Sequence, residues 1–125
     1  MNYSGKILVI DDSELINSYI SEILSNNNFL CLSAYSGREA LNLLKSEIPD
    51  LILLDIVLPD ITGFEVYAEI YNNLANHDIP VIFLTGVSDA ENIKKGLELG
   101  AIDYIPKPFK DIELTLKIKN HFKTT

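Results

Sequence analysis

Four short apolar runs in this chain each end at a side chain that could do chemistry. Lys6-Ile7-Leu8-Val9-Ile10 ends at Asp11-Asp12, Leu51-Ile52-Leu53-Leu54 at Asp55, and Val81-Ile82-Phe83-Leu84 at Thr85. Ile102-Asp103-Tyr104-Ile105 leads through Pro106 to Lys107-Pro108. If the runs are parallel strands of one sheet, three carboxylates, one hydroxyl and one ammonium meet at its carboxyl edge. Carboxylates that close repel one another and need a cation. A hydroxyl and an ammonium beside them suit the oxygens of a phosphoryl group. Mg²⁺ fits the set, because it takes hard oxygen ligands, few protein carboxylates, and keeps positions for water and phosphate. No His or Cys stands near these positions, which disfavours zinc. Asp55 ends a run so apolar that its strand must be central. A carboxylate at that tip can be a nucleophile, as in aspartyl-phosphate formation.

Each residue has a plainer reading. Asp12 before Ser13 can simply cap a helix, Thr85 can be an ordinary strand-end threonine, and Lys107 can be a solvated surface lysine. Their coincidence weighs against this. Three acids on one sheet edge without a cation would cost on the order of several kcal/mol in repulsion and desolvation. Gly86 after Thr85 lets backbone approach a ligand closely.

The elements that must position these residues alternate along the chain. Leu15, Ile16, Tyr19, Ile20, Ile23 and Leu24 recur at helical spacing, so a helix follows the first run and ends at Asn26-Asn27-Asn28. A second strand is expected over Phe29–Ala34. Ser36-Gly37-Arg38-Glu39 has the capping-box pattern and opens a second helix carrying Ala40, Leu41, Leu43 and Leu44. Thr62-Gly63-Phe64-Glu65 opens a third, through about Ala75. Ser88-Asp89-Ala90-Glu91 opens a fourth, up to Gly100, and the last helix starts near Asp111. Five β-α units without a long linker imply an α/β fold, an open doubly wound parallel sheet covered on both faces. Right-handed crossovers make 2-1-3-4-5 the expected order. That order puts the first and third strands side by side at the switch point, where such sheets bind ligands and where Asp11, Asp12 and Asp55 would meet.

Size and charge narrow the function. The 125 residues suit one domain, and the apolar fraction of 47% is that of a globular protein. A net charge of −8 with no basic run argues against nucleic acid as a partner. The run Lys6–Ile10 is too short for a signal peptide, and no stretch could span a bilayer, so a cytoplasmic location is expected. Cys31 excludes a disulfide framework and reads as a small buried strand residue. His77 and His121 read as surface residues.

The chain resembles, over essentially its whole length, the receiver domain of two-component response regulators, typified by the chemotaxis regulator. The resemblance is carried by Ile7-Leu8-Val9-Ile10-Asp11-Asp12-Ser13, by the stretch from Asp50 through Asp55 to Pro59-Asp60-Ile61-Thr62-Gly63, by Pro80-Val81-Ile82-Phe83-Leu84-Thr85-Gly86, and by Leu99-Gly100-Ala101 through Lys107-Pro108-Phe109. It implies a flavodoxin-like (βα)5 fold and a single receiver domain over residues 1–125. Asp55 would accept a phosphoryl group from a phosphohistidine on a histidine kinase or histidine phosphotransfer protein. Asp11, Asp12, Asp55 and the backbone carbonyl of Val57 would serve Mg²⁺, and Thr85 and Lys107 would hold the phosphoryl oxygens. Such a domain catalyses its own phosphorylation and dephosphorylation without being a turnover enzyme. Tyr104 would change rotamer as Thr85 moves, unless it is only a half-exposed strand tyrosine. The Lys107–Pro108 bond would be cis. Leu58 stands where Met is common, Gly86 where Ala is common, and Pro106 is unusual. The side chains two after Asp55 and two after Thr85, Val57 and Val87, cannot orient water, which implies slow self-hydrolysis.

The last helix carries two apolar stripes, Ile112 with Leu116 and Leu114 with Ile118 and Phe122, wider than one buried face needs. Part of this arc is expected to stay exposed beside the fourth helix and fifth strand, a face suited to a homodimer. Other readings are weaker. A haloacid-dehalogenase-type phosphatase would need Asp-x-Asp after the first strand. An FMN carrier would need a phosphate loop where Asp11-Asp12 would repel phosphate. A degenerate receiver, binding partners without phosphorylation, would normally lack one of the acids, Thr85 or Lys107. Such a chain would be a stand-alone receiver or a piece of a larger regulator or hybrid kinase.

Overall fold

The computed structural model describes residues 3–86 and 90–122. Strands β1 (Gly5–Ile10), β2 (Phe29–Ala34), β3 (Leu51–Asp55), β4 (Val81–Gly86) and β5 (Asp103–Lys107) alternate with helices α1 (Glu14–Asn26), α2 (Gly37–Leu43), α3 (Gly63–Asn72), α4 (Ala90–Leu99) and α5 (Asp111–Asn120). The five strands form one parallel sheet in the order β2-β1-β3-β4-β5.

The period-two alternation of each strand divides the core into two layers. Leu8, Ile10, Ile52, Leu54, Val81 and Phe83 face one way, toward Ala40 of α2, Leu44 at its end, and Val66, Tyr67 and Ile70 of α3. Ile7, Val9, Leu51, Leu53, Ile82, Leu84 and Ile105 face the other, toward Ile20, Ile23 and Leu24 of α1 and Leu114 and Ile118 of α5. Both faces of the central strands are covered, so β1 and β3 read as unbroken apolar runs. Polar residues there fall only at the strand tips.

Local signals explain most boundaries. Ser13, rather than Asp12, caps α1 by accepting from the Ile16 amide at 3.2 Å. Asn28, at φ 66°, turns the chain from α1 into β2, a conformation Asn tolerates better than most residues. Thr62 and Glu65 form both halves of a capping box. At α2 only half of the expected box exists: Ser36 accepts from Glu39, but the Glu39 carboxylate accepts from Tyr35. The box at Ser88–Glu91 begins outside the described residues.

Three expectations need correction. Helix α3 stops at Asn72, short of Ala75, because Asn73 is extended and its side chain accepts from the Ala75 amide, replacing a helical bond. Leu15 is 81% exposed, since the buried stripe of α1 runs through Asn17, Ile20, Ile23 and Leu24. Cys31 is only half-buried, with its sulfur 3.2 Å from the Ser21 hydroxyl; burial still pushes its thiol pKa up. On α5 part of the apolar arc stays exposed, as expected: Phe122 packs on Phe29 and over Gly5 with Leu114 and Ile118, and the exposed stripe is Ile112 and Leu116. No helix among the described residues is long and apolar enough to cross a membrane.

Candidate functional site

Strand register assembles the site. Ile10 pairs with Leu54, so the next residues, Asp11 and Asp55, emerge side by side from neighbouring strands. Asp55 pairs with Leu84, which puts Thr85 one residue further along the same edge. Gly86 pairs with Lys107 at the end of the next strand. Asp11, Asp12 and Asp55 each bring a carboxylate oxygen within 4.8 Å of the others. Asp11 is fully buried, Asp55 is 6% exposed and Thr85 2%, whereas Asp12 faces solvent.

The Lys107 ammonium bridges the two buried acids. Its Nζ lies 2.6 Å from Asp11 Oδ2 and 2.9 Å from Asp55 Oδ2. The Lys107–Pro108 peptide is cis. The free oxygens are held by main chain: Ser13 N–H donates to Asp11 Oδ1 at 3.0 Å, and Val57 N–H to Asp55 Oδ1 at 3.1 Å. Of Val57, then, the structure brings the amide against Asp55, while its side chain is 74% exposed. Thr85 donates its hydroxyl proton to the Gly86 carbonyl at 3.0 Å. Gly86 has open space where a Cβ would stand, and Val87 lies outside the described residues.

These environments shift protonation in opposite directions. Burial pushes the Asp55 carboxyl above its ordinary range, against the Lys107 hydrogen bond and charge that pull it down; the Asp11 charge adds to the rise. Burial alone would lower the Lys107 pKa, but its bonds to Asp11 and Asp55 outweigh that and hold it above the usual lysine value. Three acids and one fixed ammonium leave a surplus of two negative charges.

Tyr104 is half-buried on β5 and restrained by α5. Lys117 Nζ sits 4.5 Å from the centre of its ring, donates to the Tyr104 carbonyl at 2.6 Å, and pairs with Asp103 at 3.1 Å. His77 and His121 are exposed, His121 lying 3.8 Å from Asp103.

Two further residues have no role assigned from the sequence. Asn17 is fully buried beneath the β1–α1 turn. Its only signal is a polar residue inside an apolar helical stripe. Asp60 accepts the Gly37 and Arg38 amides at 2.9 and 2.8 Å, tying the loop after β3 to the start of α2. Slight burial works against it, yet these amide bonds hold its pKa down at about 2.

The family model described as response regulator receiver domain matches residues 7–119. The transcriptional regulatory protein CpxR of Escherichia coli is 40% identical over 115 residues, covering 92% of this chain and 48% of CpxR. The regulatory protein VanRc of Enterococcus gallinarum is 35% identical over 120 residues, covering 96% of this chain and 51% of VanRc. The chain thus spans about half the length of these curated relatives. Among solved structures, the chemotaxis response regulator CheY4 of Vibrio cholerae superposes with a TM-score of 0.87 at 28% identity, covering 93% of this chain and 97% of CheY4. The receiver domain of a signal transduction histidine kinase from Syntrophus aciditrophicus superposes with a TM-score of 0.86 at 33% identity, covering 94% of this chain and 89% of that one.

Proposed function

The chain belongs to the response regulator receiver domain family, and on that premise we propose that it is a single phosphorelay receiver whose phosphoryl acceptor is Asp55. Receiver domains of this family partner with histidine kinases or phosphotransfer proteins. The observation that carries the reading is the Lys107 ammonium within 3 Å of both buried acids, on the edge that also presents Asp12 and Thr85. An Asp55 oxygen attacks the phosphorus of a phosphohistidine; the new O–P bond forms as the P–N bond breaks, and the imidazole leaves with the bonding pair. Lys107 and the Thr85 hydroxyl take the phosphoryl oxygens.

The residues fit a divalent cation. Asp11, Asp12 and Asp55 offer hard oxygens within one ion's reach, and their surplus of two negative charges matches Mg²⁺. The Val57 carbonyl is proposed as a further ligand. Mg²⁺ supplies charge neutralisation between the acids and the incoming phosphoryl group.

Two surfaces suit partners. Ile16, Tyr19, Pro108 and Phe109 line a 290 Å³ groove beside Lys107, ground on which a phosphohistidine donor can seat. Leu97, Leu99, Ile102, Ile112 and Leu116 leave apolar area exposed on the α4-β5-α5 side, which suits a second copy once Thr85 and Tyr104 have moved. The net charge of −8 argues against a nucleic-acid role for this domain, and the proposed location is cytoplasmic.

Incubation with acetyl phosphate and Mg²⁺ tests the chemistry. One phosphoryl group should be gained, seen by intact-mass measurement, and Asp55→Asn should abolish it. No gain in the folded wild type would favour a degenerate, phosphorylation-independent binding module.

A further inference from the structure

We propose that Asn17 is a positioning residue for the acidic cluster: its side-chain amide fixes the end of β1, and so the aim of Asp11 and Asp12. The inference rests on the reading that this cluster holds Mg²⁺.

Asn17 occupies the buried stripe of α1, one turn before Ile20, and has no exposed surface. Its Nδ2 donates to two strand-end carbonyls, Asp11 at 3.1 Å and Ala34 at 3.2 Å. Ala34 O also accepts the Asp11 amide at 3.1 Å. One amide group therefore ties together the tip of β1, the tip of β2 and the first turns of α1. The Asp11 main chain is held at both its N–H and its C=O, and the peptide joining Asp11 to Asp12 is oriented from its carbonyl end. The Asp11 carboxylate is separately held by Ser13 and Lys107. With all these points fixed, little freedom is left to the ligand-bearing turn.

Packing does not account for this residue. Its Oδ1 is buried and accepts from no protein group among the described residues, a cost that an aliphatic side chain would not carry, although it would take the donor from the Asp11 carbonyl. What Asn supplies and Leu does not is a donor to the carbonyl of an acid in the cluster. Partners of this outer kind typically change metal affinity by about 10- to 100-fold when removed.

The test compares Mg²⁺ dissociation constants, read from the metal-dependent rise in melting temperature, for wild type, Asn17→Ala and Asn17→Asp. Both variants should bind Mg²⁺ about tenfold or more weakly. Their acetyl phosphate labelling should need more Mg²⁺ for half its maximal rate yet approach the wild-type maximum at saturation. Ile20→Val loosens the same helix without touching Asp11 and should leave Mg²⁺ affinity unchanged. Unaltered affinity in the folded Asn17 variants, or equal weakening in Ile20→Val, overturns the assignment. A wild type that binds no Mg²⁺ overturns the metal reading beneath it. If the Asn17 variants do not fold, the wild type decides: its Asn17 side-chain NH₂ resonances should shift on Mg²⁺ titration with the same half-saturation as the stability rise. Resonances that stay put refute the proposal.

Discussion

Lys107→Met keeps most of the side-chain volume and removes the ammonium that bridges two buried acids. Its Nζ stands 2.6 Å from Asp11, which has no exposed surface, and 2.9 Å from Asp55, which is 6% exposed. Removing one partner of a buried ion pair costs about 3–5 kcal/mol. The Lys107 side chain is 22% exposed, so water screens part of the loss, and the low end, about 3 kcal/mol, applies. At about 2.1 cal/mol/K per residue, 125 residues unfold with an entropy near 0.26 kcal/mol/K, and the melting temperature should fall by about 11 °C in EDTA.

Two conditions should shrink that gap. The variant's cluster carries three uncompensated charges where the wild type carries two, so saturating Mg²⁺ should stabilise the variant more and at least halve the difference. Acid should act likewise. Asp55 already has a raised pKa, and loss of Lys107 removes what pulls it down. A carboxyl whose folded pKa lies above its unfolded value, about 3.9, carries no penalty below that value and loses stability as pH rises toward the folded pKa. The gap should therefore be small near pH 4 and open toward neutrality. Differential scanning fluorimetry across pH, with EDTA or Mg²⁺, measures all of this. Equal melting temperatures in EDTA, or a gap indifferent to both Mg²⁺ and pH, would refute the reasoning.

Other perturbations follow from the same geometry. Gly63→Ala would drive a Cβ into the Asp55 carbonyl oxygen and to 2.7 Å from Ile56 Cα, both rigid backbone, so a loss of about 1–3 kcal/mol in urea unfolding and slower labelling of Asp55 are expected. Asp60→Ala removes two amide bonds at the start of α2 and should cost about 0.5–2 kcal/mol near neutrality. Because the Asp60 pKa is lowered to about 2, that contribution is complete above the unfolded value of about 3.9 and lost as pH falls toward 2, which urea titrations at several pH values will show. Val57→Asn places a polar group on an exposed side chain beside Asp55 and should shorten the phosphoryl lifetime with stability within about 0.5 kcal/mol of wild type; equal decay rates count against it. The pair Ile112→Ser and Leu116→Ser should abolish any self-association induced by beryllofluoride in sedimentation, whereas Phe122→Ser, on the buried side, should chiefly lower stability.

The sheet was legible because its central strands are buried on both faces. No polar residue can interrupt such a strand cheaply, so Asp11, Asp55 and Thr85 mark its ends in the sequence as plainly as in space. Helix ends were legible where the cap is local, as at Thr62 and Glu65, and misread where a side chain displaced a helical bond, as at Asn73. Leu15 shows the limit of periodicity: its spacing fits an apolar stripe, but the sheet lies under Asn17, about 200° away around the helix. The contacts of Asp60 and Asn17 were hidden for another reason. Their partners lie 23 and 17 residues away, at Gly37 and Ala34, and no pattern along the chain encodes a contact that exists only once strands and helices have packed.

The identities of the site residues also follow from where the strand order puts them. Asp11 and Asp55 are far apart in sequence and adjacent only because β1 lies beside β3. Neighbouring strands are about 4.8 Å apart, so a group on β4 needs only a short side chain to reach a ligand on Asp55, while one on β5 must cross about 10 Å. Thr85 is the short group on β4, and Lys107 is the long one on β5. A threonine at 107 would fall short of Asp55, and a lysine at 85 would have to fold back in a buried strand end that is 2% exposed. Lengths, charges and register thus agree. The proposed chemistry follows from five strands in this order, with the reach it needs at each tip.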